Sequence, residues 1–349
     1  MPRIKFAGVR FPDPNAPSVF DIEARLKRHL VNFRNTRAKP KKDNQISDRD
    51  RRNIQRKIAA YKDAVSRRSG MDHLADKDRQ RLEVFRHGAE LIAVETEHRA
   101  DEIASAIHSE MPWMAAATEM IWQDMRASVR NGDLAPRLRP LLLVGPPGIG
   151  KTYWARSLAQ HLMVPTSVIE ATAEPASFSV TGSQRGWGSA GPGKPLESII
   201  ASGVANPVIV VDEVEKAGTV ESLRGQRFDL SEGLLPFLER STAVQWPCPY
   251  FRVSFDMSWI TWIMTANSVE GLPAPFLSRC PPLKFPSLSV KHLLGFADRL
   301  GAERDLPAEA VDAVKEVIQA IRVPHLISLR SVARMVDSVE QAINRPPLH

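Results

Sequence analysis

The apolar positions of this chain follow two rhythms. Short, mostly apolar runs at Leu141–Val144, Ser167–Glu170, Val208–Val211, Ile260–Ala266 and Leu283–Phe285 read as buried strands. Between them, apolar residues recur every three or four positions, as over Thr152–Leu162, which is the period of a helix. Strands alternating with helices predict an α/β fold, a parallel sheet flanked by helices on both faces. After Pro286 only the helical rhythm remains, over Val290–Leu300, Pro307–Ile321 and Ser328–Ile343, which predicts a small α-helical lid.

Upstream of the sheet the pattern is also helical. Residues 1–17 hold four prolines and read as an extended leader. Ser18 can cap a helix to Asn35 whose stripe is Ile22, Leu26, Leu30 and Phe33. Ser47, with Asp50 three residues on, starts a second helix carrying Ile54, Ile58, Tyr61 and Val65 and stopped by Gly70. A third is expected over Asp76–His108, through Leu82, Phe85, Ile92, Ile103 and Ile107, bent at Gly88. A fourth, Ala116–Arg130, ends at Asn131-Gly132. The expected division is a basic, mostly helical arm over 1–110, an α/β nucleotide-binding core over 111–286 and the lid over 287–349.

Composition adds limits. With 43% hydrophobic and 25% charged residues, the 349-residue chain reads as an ordinary soluble globular protein. No run of 18 apolar residues is present and the first residues lack the apolar stretch of a signal peptide, so no membrane partner is expected. Cys248 and Cys280 sit in no metal-binding spacing and read as inert thiols, which fits a reducing cytoplasm. The net charge of +7 lies wholly in the first 110 residues, with 24 basic against 17 acidic groups. Within them residues 1–70 alone carry +12. Such an arm can meet nucleic acid or an acidic partner, or simply present solvated helix faces.

The chemistry concentrates at Gly145-Pro146-Pro147-Gly148-Ile149-Gly150-Lys151-Thr152, which fits G-x-x-x-x-G-K-[ST] between a strand and a helix. Gly148 and Gly150 let successive backbone N–H groups converge on a phosphate. Lys151 carries charge to the β- and γ-phosphates of ATP, and Thr152 offers a hydroxyl to Mg²⁺. The run Val208–Val211 ends in Asp212 and Glu213, placing one carboxylate for Mg²⁺ and one to polarise the attacking water. Asn267, just past another apolar strand, can orient the same water, or merely form an Asx turn. Arg279, after Pro275-Phe-Leu-Ser, suits an arginine finger reaching a neighbouring subunit. Arg330, opening the last lid helix, can touch phosphate within its own subunit. A plain surface charge is the alternative for either arginine.

The set GPPGIGKT, VIVVDE, TAN and FLSR with a helical lid resembles an AAA+ ATPase, a P-loop NTPase. The finer pattern is similar to the ATPase module of Lon proteases from about residue 108 to 345. It runs through Asp212-Glu-Val-Glu-Lys216, Arg224-Gly225, Leu234-Leu-Pro-Phe-Leu-Glu239, Trp262-Ile-Met-Thr-Ala-Asn267 and Pro273–Arg279. The resemblance implies a homo-oligomeric ring, usually a hexamer, driven by Mg²⁺ and ATP and pulling on a protein substrate. It assigns Asn267 as sensor 1, Arg279 as finger and Arg330 as sensor 2. It also places Trp187, within the glycine-rich stretch Thr181–Lys194, on a substrate-gripping pore loop, where a Trp packed back on the core is the alternative. Adenine contacts are expected from His108–Met114 and the lid.

The sequence also departs from Lon. The chain ends at His349, directly after the lid, and has no segment for a Ser–Lys protease domain, so no peptide cleavage of its own is expected. The leading expectation is an ATP-driven protein remodeller or unfoldase. A DNA-associated AAA+ ATPase is the alternative, since Ser278-Arg-Cys280 is similar to clamp-loader fingers and the arm is basic. A nucleotide-gated scaffold is a third, against which the intact Asp212-Glu213 pair argues.

Overall fold

Five strands pair in parallel in the computed structural model, which describes residues 1–13, 15–37, 46–172, 176–185, 190–217, 220–221, 227–321 and 327–344. Across the sheet the order is Pro282–Lys284, Leu141–Val144, Thr261–Ala266, Val208–Asp212, Thr166–Glu170. All five expected strands form, with ends shifted by a residue or so. Register is fixed by backbone pairs such as Ile263 with Leu141 and Val210 with Ile263.

Because successive strand residues face opposite sides, the central strands feed two cores. Leu141, Leu143, Val208, Val210 and Ile263 pack with the helix Lys151–Leu162 and the lid. Leu142, Val144, Ile209, Val211, Trp262 and Met264 pack on the other face. Burial on both faces explains why these strands read as continuous apolar runs rather than alternating ones. Trp154, Trp259 and Trp262 all lie in these cores.

The upstream region departs from the sequence reading in two places. The leader is not merely extended: Arg3–Ile4 pairs antiparallel with Ala89–Glu90. Beyond it Phe6 is buried, its ring 4.7 Å from Phe85 and 5.4 Å from Phe255. The expected helix over Asp76–His108 is likewise broken, into Asp76–Leu82, a 3-10 turn Glu83–Phe85, the short strand and Glu97–Glu110. Gly88 is the cause. It sits at φ +82°, and a Cβ there would lie 2.4 Å from the Ile4 carbonyl oxygen, so the chain turns and pairs instead of continuing helical. Thr96 then starts a fresh helix by accepting the Arg99 N–H at 3.1 Å.

The helices Val19–Arg37 and Asp48–Ser69 match expectation, with Ser47 and Asp50 forming a capping box and Gly70 closing the second at φ +72°. Arg34 ties the two together through both Asp50 oxygens at 2.8 Å. Among the described residues the lid contains the helices Val290–Glu303, Ala308–Ala320 and Leu329–Ile343. No helix among the described residues is long and apolar enough to cross a membrane.

Candidate active site

The glycine loop leaves the buried strand at Gly145, whose N–H donates to Ala266 O at 3.1 Å. Gly148 and Gly150 take φ of +79° and +94°, bending the loop back into the helix Lys151–Leu162. Two groups hold the loop from outside. The Trp113 indole N–H donates to Ile149 O at 2.8 Å, and the Leu329 N–H of the lid donates to Gly148 O at 3.0 Å. Lys151 is 7% exposed, and its Nζ donates to Gly145 O at 2.6 Å, Pro146 O at 3.0 Å and Asn267 Oδ1 at 3.1 Å. Burial lowers the Lys151 pKa from its ordinary value, and the charges of Glu215, Asp212 and Glu213 oppose that shift.

The carboxylates come from the strand Val208–Asp212, next but one to the glycine-loop strand across the sheet. Thr152 Oγ1 donates to Asp212 Oδ1 at 2.9 Å, and the buried Thr265 hydroxyl donates to the same oxygen. Thr265 Oγ1 in turn accepts the Glu213 N–H at 3.1 Å. Glu213 stands in the left-handed region at φ +56°, uncommon for a side chain of its size, and this turns the chain sharply after the strand. Its Oε1 accepts from Lys216 Nζ at 2.7 Å and lies 3.5 Å from Asn267 Nδ2. The hydrogen bond to Glu213 raises the Lys216 pKa.

These groups open onto one cavity of about 580 Å³ between the glycine loop and the lid. Its polar end holds Lys151, Thr152, Asp212, Glu213 and Asn267. Its lining also includes Met111 from the segment His108–Met114 and Phe296, Leu300 and Ala333 from the lid. Arg330 reaches the cavity from the lid. Arg279 does not line it: its guanidinium bonds Glu239 Oε2 at 3.1 and 3.2 Å and Pro275 O at 3.1 Å. Trp187 and the Arg224-Gly225 pair lie outside the described residues.

Thr152 and Asp212 present adjacent hard oxygens, which suit Mg²⁺ rather than a soft metal. Among the described residues no three His, Cys, Asp or Glu side chains cluster to cage a metal. The sequence reading missed Thr265, Glu215 and Trp113. The first two stand inside quoted motifs, Thr-Ala-Asn and Asp-Glu-Val-Glu-Lys, but their contacts cross between strands.

Residues 141–285 match the model of the ATPase family associated with various cellular activities (AAA). The chain carries an AAA+ ATPase module resembling that of Lon. Lon protease 2 of Thermus thermophilus is 31% identical over 203 residues, covering 58% of this chain and 25% of that protein. The human peroxisomal Lon protease homolog 2 is 29% identical, covering 56% of this chain and 22% of its own length. The chain thus spans a quarter or less of the curated relatives named here. In fold it is similar to Hsp104, solved by cryo-electron microscopy in a closed state with ATPγS and FITC-casein. The TM-score is 0.54 at 18% identity, over 80% of this chain and 51% of that one. The AAA+ module is a nucleotide-binding one, characteristic of ATP-hydrolysing enzymes.

Proposed function

We propose that this chain is an Mg²⁺- and ATP-dependent ring ATPase, hexameric by resemblance, that remodels or translocates a protein substrate in the cytoplasm. The observation carrying this reading is the convergence of Lys151, Thr152, Asp212, Glu213 and Asn267 at one end of a nucleotide-sized cavity. On ATP binding, Lys151 exchanges the Gly145 and Pro146 carbonyls for β- and γ-phosphate oxygens. Thr152 and Asp212 would hold Mg²⁺, which supplies positive charge to those oxygens. Glu213 takes the proton of the attacking water, Asn267 orients that water, and the bond from the γ-phosphorus to the bridging oxygen breaks to release ADP and phosphate. Arg330 meets the phosphates from within the subunit.

Arg279 supports the ring. It does not line its own cavity and is paired with the exposed Glu239, as suits a cation serving the next copy. The Lon relatives and the Hsp104 structure with casein support a protein as the substrate. Trp187 is the proposed gripping residue, with the α/β core over 111–286 and the lid over 287–349 as motor and the basic residues 1–110 as a recognition arm. Peptide cleavage is left out of the proposal. A Ser/His/carboxylate grouping does occur, where Ser157 donates to Glu110 at 2.7 Å and His161 pairs with Glu110 at 2.9 Å. Ser157 is only 2% exposed and bonds the carboxylate rather than the histidine, so it is no nucleophile.

The test is phosphate release by the purified chain, with Glu213→Gln as a trap. The unsubstituted chain should hydrolyse ATP and assemble with nucleotide, and the Glu213→Gln variant should retain ATP and capture its client for mass spectrometry. A monomer that releases no phosphate at saturating Mg-ATP refutes the proposal. Captured nucleic acid in place of protein refutes the substrate class.

A further inference from the structure

An asparagine that orients water must present a chosen end of its amide. The two ends are nearly the same shape and opposite in hydrogen bonding, so something must fix the rotation. The strand ends at Ala266, so its pairing does not reach Asn267. The fixing contact comes from Glu215. Its Oε1 accepts both the Asn267 backbone N–H and Asn267 Nδ2, each at 3.0 Å. With one Nδ2 hydrogen committed there, the other is directed at Glu213 Oε1, 3.5 Å away. Asn267 Oδ1 is left to accept from Lys151 at 3.1 Å.

Local backbone makes this reach available. Glu215 stands on the one-turn helix Val214–Lys216, entered through the left-handed Glu213, and so crosses from the carboxylate strand to the strand beside it. Its other oxygen, Oε2, is buried with no hydrogen-bond partner. A buried, half-satisfied carboxylate is a poor device for stability, because an apolar side chain of similar length avoids its desolvation cost. Its placement is explained by what Oε1 holds.

We propose that Glu215 is the positioning residue for Asn267, fixing its amide with Nδ2 toward Glu213 and Oδ1 toward Lys151. The 3.5 Å contact between Asn267 Nδ2 and Glu213 is long and weak for a hydrogen bond, so that N–H is free to turn to a water that Glu213 also holds. Glu215 thereby acts on hydrolysis without touching ATP. The inference rests on the ATPase reading of the site.

The experiment measures steady-state kcat and KM for ATP in the full chain, for Glu215→Met and Glu215→Gln, each alone and combined with Asn267→Ala. Methionine keeps the length and removes the acceptor, so kcat should fall roughly 10²-fold while KM stays within about threefold, the signature of lost alignment rather than lost binding. Glutamine keeps a carbonyl oxygen able to accept both bonds and should rescue kcat to within about threefold of the parent. On the Asn267→Ala background, where only the bond to the backbone N–H is left to lose, Glu215→Met should cost much less in kcat than in the parent. A full additional loss on that background, or glutamine as damaging as methionine, overturns the assignment. Should Glu215→Met not fold, Glu215→Asp takes its place, since it draws the acceptor back by one methylene. Its loss must likewise shrink when the Asn267 amide is absent. An unsubstituted chain that releases no phosphate refutes the ATPase reading and this inference together. A turning-over chain indifferent to Glu215→Met refutes this inference alone.

Discussion

Replacing Gly148 with alanine tests how the lid is coupled to the glycine loop. Gly148 stands at φ +79°, and a Cβ there would lie 2.4 Å from Ser328 Cβ and 3.1 Å from Ser328 Oγ. Two costs are separable. The left-handed backbone costs an alanine about 1–2 kcal/mol. Forcing a carbon against Ser328 costs about 1–3 kcal/mol more, as overpacking does elsewhere. Ser328 is not a mobile side-chain end: it caps the last lid helix by accepting the Ser331 N–H at 3.2 Å, and the next residue's N–H holds Gly148 O. Relief must therefore come from the lid backing away or the loop flattening, and either opens the cavity. ADP affinity should fall roughly 10- to 100-fold, the equivalent of about 1.4–2.8 kcal/mol.

The steric part can be recovered by a second change. Ser328→Gly removes both clashing atoms, and glycine at a helix N-cap costs only about a few tenths of a kcal/mol. Calorimetric ADP titration and thermal melts of the parent, both single variants and the double variant form a closed cycle. Gly148→Ala should cost clearly less on the Ser328→Gly background, leaving the backbone strain. An equal cost on both backgrounds refutes the argument that the lid contact is responsible.

Three further outcomes are expected. Thr265→Val removes the hydroxyl that bonds Asp212 and receives the Glu213 N–H, so a urea melt should show a loss of about 1–3 kcal/mol with a fall in kcat. Trp113→Phe deletes the bond to Ile149 O and should weaken ADP binding by about 0.5–1.5 kcal/mol in the same titration, with the core otherwise unchanged. Burial pushes the thiols of Cys248 and Cys280 up to about 11 and about 12, so both should resist a thiol reagent at pH 8 until the protein is unfolded. Because these folded-state values exceed the ordinary thiol value, the unfolded chain releases protons first, and stability measured by thermal melts should drop as pH rises above about 9.

What could be read from the chain and what could not differ by the range of the interactions. The glycine loop, the Asp212-Glu213 pair and the buried strands were legible because each is a contiguous run whose residue types dictate its backbone. Leu141–Val144 and Val208–Asp212 are buried along nearly their whole length, so their apolar continuity alone marks them as central strands. The helix expected over Asp76–His108 failed for the opposite reason. Its apolar residues do fall at helical spacing, yet Gly88 needs the Ile4 backbone, some eighty positions earlier, to explain why the chain turns there. The buried Phe6 was invisible for the same reason, since its partners Phe85 and Phe255 are remote in sequence.

The candidate site divides along the same line. Lys151 announces itself by the glycine loop before it, and Asp212 and Asn267 by position at strand ends, where parallel sheets place their chemistry. Glu215 reads as one more acid in a charged turn, and Thr265 as a core threonine, until the neighbouring strands are set side by side. Both then act on the backbone of a residue more than fifty positions away, Glu215 on Asn267 and Thr265 on Glu213. Each ties an oxygen-bearing side chain to a backbone N–H just beyond the end of the adjacent strand, and the two ties run in opposite directions across the same strand pair. The consequence is mechanical: the carboxylate strand and the asparagine strand cannot shift relative to each other without breaking both. A change in how Asn267 is held is therefore also a change at Glu213, so substitutions at Thr265 and Glu215 should be non-additive in kcat although their own side chains bond different partners.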